Sequence, residues 1–399
     1  METGVCTSRI LLEKRNFLFD LSGESPYSEK SSKYCPRLWR FVEDMPFIFI
    51  GSTGDRAGHS LVTWALARRL IKKGVKVGFV KPFGSHAIQR QGLFYDHDAL
   101  LFKEALDLQE SCERICPYPI FKEPWQNETT GGILKALKSL TKELGEKKDV
   151  LLIMGSKQIF FDDAPLPLPE ISIIPELQAN VLLISRFRTI SKSIYSILSI
   201  TSLLKDSIKG IILNRVPPEK LEEIRSRLIP SLVQKGIPIL AALPEDPFLS
   251  HRSIREIVEV LDGEILYGEG GMDNPINGMT VGSADLIGAL KIFKRAYNKI
   301  ILLKAALPGE PPEDTSGPRP VGGILLTGGR NPAPQLLQAA RHASIPLVRI
   351  KDDTFTALER LERTPPSLSI EDEAKVRHFS DLLDNDGALD NLIGPLNLL

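Results

Sequence analysis

The chain has 399 residues, 42% hydrophobic and 25% charged, which is the balance of a globular protein and excludes a disordered one. Basic and acidic residues number 50 each, so no global charge points to nucleic acid or an anionic membrane as partner. No apolar run approaches the ~18 residues of a membrane helix, and four cysteines are too few for a disulfide framework.

Such a length suggests two compact units with appendages. Residues 1–45 read as an N-terminal extension, rich in serine around Ser22–Ser32 and without the sustained apolar segment of a signal peptide. A cytoplasmic protein is the expectation. The run Phe47–Thr53 (FIFIGST) is continuously apolar until small residues break it, as a buried parallel strand would be. Val62, Leu66 and Leu70 then fall on one helical stripe, Gly74 stands where the helix should end, and KVGFVKP (76–82) is the next strand. Strand, glycine turn, helix and strand make a βαβ unit.

The alternation continues. Cys112 and Cys116 read as small buried hydrophobes, with no second pair or histidine cluster to complete a zinc site. DVLLIMGS (149–156), NVLLISR (180–186), KGIILNRV (209–216) and IPILAALP (237–244) are further strands, with helices expected over 190–204 and 219–228. A mostly parallel sheet with helices on both faces follows, spanning 46–262. After Asp262 a Gly/Pro-rich passage introduces a second, smaller α/β region, 263–365. It contains a helix over 284–297, strands at 299–306, 322–329 and 345–350, and a Pro/Glu linker over 308–320. Residues 366–399 form an acidic tail, expected to be a loosely held helix and coil.

The segment GSTGDRAGHS (51–60) lies between a strand and an amphipathic helix, where a phosphate-binding loop belongs. Glycines there let backbone N–H groups point inward, and the helix N-terminus adds partial positive charge. In the usual pattern a lysine follows the last glycine, and a Ser or Thr after it meets Mg²⁺. Gly58 and Ser60 keep their places, but His59 stands at the lysine position. A neutral imidazole brings no permanent charge to a phosphate.

This loop, VKPFG (80–84), DHDALLF (96–102) and the IILNRV strand resemble the dethiobiotin synthetase-like domain. More closely they resemble its version at the N-terminus of long phosphotransacetylases and in free-standing relatives, where a DRTGGL domain follows. The second region keeps that order: GEILYGEGG, GMTVGSADLIGALKIF, GGILLTGGRNPAP and IPLVRIKDDTFTALERLE. The resemblance implies an ATP site with Mg²⁺. Gly54, Asp55, Arg56, Ala57, Gly58, His59 and Ser60 would form its loop. Lys81 would point at the phosphates as the candidate catalytic residue. Ser60, Asp96 and Asp98 would hold the metal. Asn214 would read the adenine edge, with Pro244 and Glu245 closing over the base. There are departures. Met154-Gly155 stands where the family has Glu-Gly, and AYNKIILLKAAL lacks an acidic-basic pair that relatives carry.

Three functions compete on this reading. The first is a nucleotide-sensing regulatory module with weak or no ATPase activity that acts on a partner enzyme. The second is an ATP-dependent ligase that activates a carboxylate, as dethiobiotin synthetase does. The third is a scaffold whose nucleotide site is vestigial. The expected ligand is a small nucleotide, with neither nucleic acid nor membrane as partner. A homodimer is implied only by the resemblance. With no room expected for an acetyltransferase domain, phosphotransacetylase activity is not expected.

Overall fold

The computed structural model describes residues 46–90, 92–122, 128–156, 158–159, 168–282, 300–305, 321–364, 366–385 and 387–394. The extension 1–45, the helix expected over 284–297 and the linker 308–320 lie outside the described residues.

The first region alternates in chain order. Its elements are β1 (Phe47–Ser52), α1 (His59–Lys72), β2 (Val77–Val80), the hairpin β3 (Ala87–Arg90) and β4 (Leu93–Asp96), and α2 (His97–Ala105). Then come α3 (Thr130–Gly145), β5 (Val150–Met154), β6 (Asn180–Arg186), α4 (Ile190–Leu204), β7 (Ile208–Val216) and β8 (Ile239–Pro244). Six of these strands form one sheet in the order β8-β7-β6-β1-β5-β2, and every neighbouring pair is parallel. The cause is in the sequence: β5 is buried at all five residues, and a strand covered on both faces has no use for alternating polarity. Val62, Leu66 and Leu70 of α1 pack with Ile48, Ile50 and Ile184 on one face. Ile197, Ile200 and Leu204 of α4 pack with Phe49, Val181 and Leu183 on the other. The expected α/β fold is the one observed.

A second sheet is mixed. Its strands are β9 (Arg252–Ser253), β10 (Glu264–Tyr267), β11 (Pro275–Gly282), β12 (Ile300–Ala305), β13 (Val321–Leu326) and β14 (Leu347–Arg349), in the order β9-β11-β12-β13-β14-β10. Only β13 and β14 pair in parallel. Helices α5 (Ile254–Val260), α6 (Pro334–His342) and α7 (Thr354–Arg363) accompany it. Ile254, Ile257 and Leu261 belong to this core, so the second sheet recruits residues ahead of the composition shift at Asp262.

The expectation of a loosely held tail is corrected. The tail forms α8 (Glu373–Asn385) and α9 (Ala388–Ile393), and both join the core of the first sheet. Val376, Phe379 and Leu383 share one face of α8 and are fully buried. The tail's acids meet the basic last turn of α1: Arg69 reaches Asp390 at 2.7 Å and Asp384 at 3.6 Å, and Lys73 reaches Asp390 at 3.0 Å. Phe379→Ala is therefore expected to cost about 3–5 kcal/mol in urea unfolding, the range for a buried phenylalanine removed from a packed core. A loss under about 1 kcal/mol would mean that the tail is not docked there.

Candidate functional site

The loop after β1 is built by backbone bonds across the sheet. Thr53 N–H donates to the Ile184 carbonyl at 3.0 Å, and the Ser52 hydroxyl donates to the Gly54 carbonyl at 2.8 Å. Gly58 caps α1 at φ 101°, and a Cβ there would come within 2.8 Å of Asn214 Nδ2. Both the left-handed backbone and this close approach demand glycine. Asn214, at the end of β7, donates from Nδ2 to the Ala57 carbonyl at 2.8 Å and accepts from Arg215 N–H at 2.9 Å. Its amide thus ties β7 to the loop.

His59 opens α1 and is buried. Burial, opposed by Asp98 and reinforced by Lys81, pulls its pKa down to about 4, so the ring is neutral at physiological pH. Its buried Nε2 has no hydrogen-bond partner among the described residues.

Ser60, Lys81, Asp96 and Asp98 are brought together in one network. Lys81 directly follows β2 and is 1% exposed. Its ammonium donates to both oxygens of Asp96 at 3.0 Å and to Asp98 Oδ2 at 2.6 Å. Ser60 Oγ donates to Asp98 Oδ1 at 2.8 Å. Asp96 closes β4 and caps α2, accepting Ala99 N–H at 3.2 Å and His86 N–H at 3.2 Å. The hairpin of β3 and β4 therefore delivers both acids to the loop. Burial works against the charge of Lys81, but the two carboxylates outweigh it and hold its pKa above the ordinary lysine value. Burial likewise opposes ionisation of Asp98, and Lys81, with help from His97, holds its carboxyl well below the usual range. His86 and His97 stack at 4.8 Å beside this network.

Two features escaped the sequence reading. The first is a carboxylate near the end of β5. Met154 is buried in the core, but Glu170, 2% exposed, accepts Ser156 N–H at 2.7 Å. A Cβ on Gly155 would stand 2.6 Å from its Oε2. The second is a basic cleft of about 500 Å³ between the loop and the start of α4, lined in part by Gly54, Asp55, Arg186, Arg188, Lys192 and Ser193. Arg186 donates to the Asp55 carbonyl at 3.1 Å. The Ser193 hydroxyl is buried without a hydrogen-bond partner among the described residues. Because α1 and α4 leave adjacent strands for opposite faces, this cleft lies at the sheet's topological switch point, where open α/β sheets bind ligands. Glu245 follows Pro244 at the end of β8, and its N–H donates to the Val216 carbonyl at 2.7 Å. Arg215 nearby is pulled below the ordinary arginine value by burial and by Arg186 and Arg56, while Glu245 offsets part of this.

A parallel sheet, a glycine loop ending one of its inner strands and a helix opening on that loop define a P-loop NTPase-like scaffold. Residues 47–253 match the AAA domain family and residues 256–364 the DRTGG domain family. The chain belongs to the AAA domain family, in its dethiobiotin synthetase-like form, and carries a DRTGG domain behind it. It is similar to a phosphate acetyltransferase of Synechocystis sp., 25% identical over 369 residues that cover 86% of this chain and 51% of that protein. It is also similar to the ATP-dependent dethiobiotin synthetase BioD of Thermodesulfovibrio yellowstonii, 25% identical over 215 residues, 49% of this chain and 87% of that one. The chain thus spans about half the length of the phosphate acetyltransferase it matches. Among solved structures, the MinD cell division protein of Aquifex aeolicus aligns at 16% identity and a TM-score of 0.33, over 51% of this chain and 84% of that one. Among the described residues, no helix is long and apolar enough to cross a membrane.

Proposed function

We propose that this chain is a regulatory nucleotide-binding module, with weak or no ATPase activity, that reports ligand occupancy to a partner enzyme. The observation that carries this reading is the pairing of a retained loop with withdrawn charge. His59 is neutral at the lysine position, and Lys81 is sequestered between Asp96 and Asp98. Phosphoryl transfer needs preorganised positive charge on the transferring group. Binding needs less: the loop N–H groups, the N-terminus of α1 and the arginines of the cleft suit a phosphate chain.

A second reading is an ATP-dependent ligase activating a carboxylate. It is favoured by the similarity to dethiobiotin synthetases and by the cleft, where Arg186 and Arg188 would suit a second, anionic substrate. Calorimetric titration of the full chain with ATP and with ADP tests both. Saturable binding is expected, weakened about 10-fold or more in Arg188→Ala, which removes one charge facing the cleft. Absence of binding by either nucleotide would leave the scaffold reading.

A further inference from the structure

The family's metal, Mg²⁺, would be held by Ser60, Asp96 and Asp98, and these residues do not fit it as they stand. Mg²⁺ asks for near-ideal octahedral oxygen ligands at ~2.0–2.1 Å. Here both oxygens of Asp96 and one of Asp98 already accept the Lys81 ammonium at 2.6–3.0 Å, and the other Asp98 oxygen accepts the Ser60 hydroxyl. Backbone N–H groups of His86 and Ala99 fix Asp96 in that orientation. We propose that Lys81 is the resident cation of this loop, and that the loop takes its phosphate ligand without a divalent metal ion.

One observation and two physical arguments support it. Lys81 is 1% exposed, so its ammonium has no direct route into water when a metal enters. Retaining the ammonium beside a divalent ion would set like charges a few ångström apart in a low-dielectric interior. Moving it aside would strand a buried charge away from its only two carboxylate partners in the network. The ion pairs leave the ammonium neutralised. The counter-charge for a phosphate then falls to the N-terminus of α1 and to Arg186 and Arg188 across the cleft. The metal half of this inference concerns the apo chain alone, whereas the phosphate half rests on the nucleotide-binding reading above.

The test is Mn²⁺ alone, titrated into the nucleotide-free full chain and followed by the electron paramagnetic resonance of the free ion. The wild type is expected to take up no Mn²⁺ saturably. Lys81→Met is expected to gain one site, at least about 100-fold tighter than any wild-type uptake. Asp98→Asn in the Lys81→Met background should remove it. Saturable binding by the wild type that Asp98→Asn abolishes would overturn the proposal, and this comparison decides even where Lys81→Met fails to fold. A folded Lys81→Met that binds no Mn²⁺ also overturns it. With ATP as a second probe, equal affinity in Mg²⁺ and in EDTA supports metal-free binding, and binding only with Mg²⁺ contradicts it. If ATP binds in neither buffer, the nucleotide reading fails while the Mn²⁺ result still decides the cation.

Discussion

Lys81→Met is expected to cost the fold about 3–5 kcal/mol at neutral pH, the largest effect of any single substitution in the site. The ammonium is 1% exposed and Asp96 2%, so removing it strands one carboxylate out of reach of water and a second, Asp98, that is only partly exposed. The backbone N–H groups on Asp96 soften this for one acid, whereas Asp98 keeps the Ser60 hydroxyl and the nearby His97. A surface pair makes the control. Lys138 and Glu176 meet at 2.9 Å with side chains 60% and 43% exposed, and Lys138→Met should cost under about 1 kcal/mol. The pH dependence gives the sign. In the wild type the folded Asp98 carboxyl lies well below its ordinary value of 3.8. It therefore stabilises the fold above that value, and the stabilisation is lost as pH falls through the folded pKa. In the variant Asp98 has lost its main counter-charge and keeps only His97 beside it, so acid relieves its carboxylate. The gap between wild type and variant in urea unfolding should narrow as pH drops. A gap independent of pH would mean that the lysine's packing, and not its charge, is what counts.

His59 carries the second large effect, also through pH. Its folded pKa is about 4 against an ordinary 6.5, because the ring is buried. A depressed histidine favours the fold while neutral, and that contribution is lost as pH falls through the window from 6.5 to 4. The total is about 3 kcal/mol, with about 2 kcal/mol gone by pH ~5. His59→Gln cannot be protonated there, so its stability relative to wild type should rise by about 2 kcal/mol between pH ~7.5 and ~5. Parallel pH profiles for the two proteins would place the imidazole in contact with water and return it to the phosphates as a usable charge.

Much of the fold was legible because the physics behind it is local. A short unbroken run such as Val150–Met154 reads as a strand covered on both faces, and Val62, Ala65 and Leu66, spaced three and four apart, share one face on a helix and not on a strand. The second sheet's antiparallel pairings were not legible, since β12, apart from Lys304, and β13 carry no polar residue and lack the alternation that distinguishes a half-exposed strand. The tail misled through its charge. Asp384 and Asp390 read as solvated, yet their partners Arg69 and Lys73 lie more than 300 residues away in sequence.

The site divides in the same way. Residues around Gly58 could be placed from spacing, because a glycine loop between strand and helix is one continuous segment. That Lys81 closes on Asp96 and Asp98 is a consequence of the β3–β4 hairpin, whose residues carry little alternation and expose Leu93 and Phe94. Arg186 ends β6 and Arg188 follows it in plain view, but they matter only once β6 is known to lie beside β1. Glu170 had no local signal at all, since nothing near it in sequence marks a strand end.

The central claim is that this loop has kept its scaffold and given up phosphoryl transfer. Phosphate release by the full chain from ATP and Mg²⁺, over a set of carboxylate and amine substrates, tests it most directly. Losing one preorganised charge commonly costs ~10²–10³ in rate, and here both the loop lysine and a free Lys81 are gone. The two losses need not add, since groups acting as a unit do not. The account predicts release at least ~10²-fold slower than the ~10 s⁻¹ typical of enzymes, down to that of ATP in buffer, with every substrate. Turnover near the ~10 s⁻¹ typical of enzymes, abolished in Lys81→Ala, would contradict it and establish a working ligase.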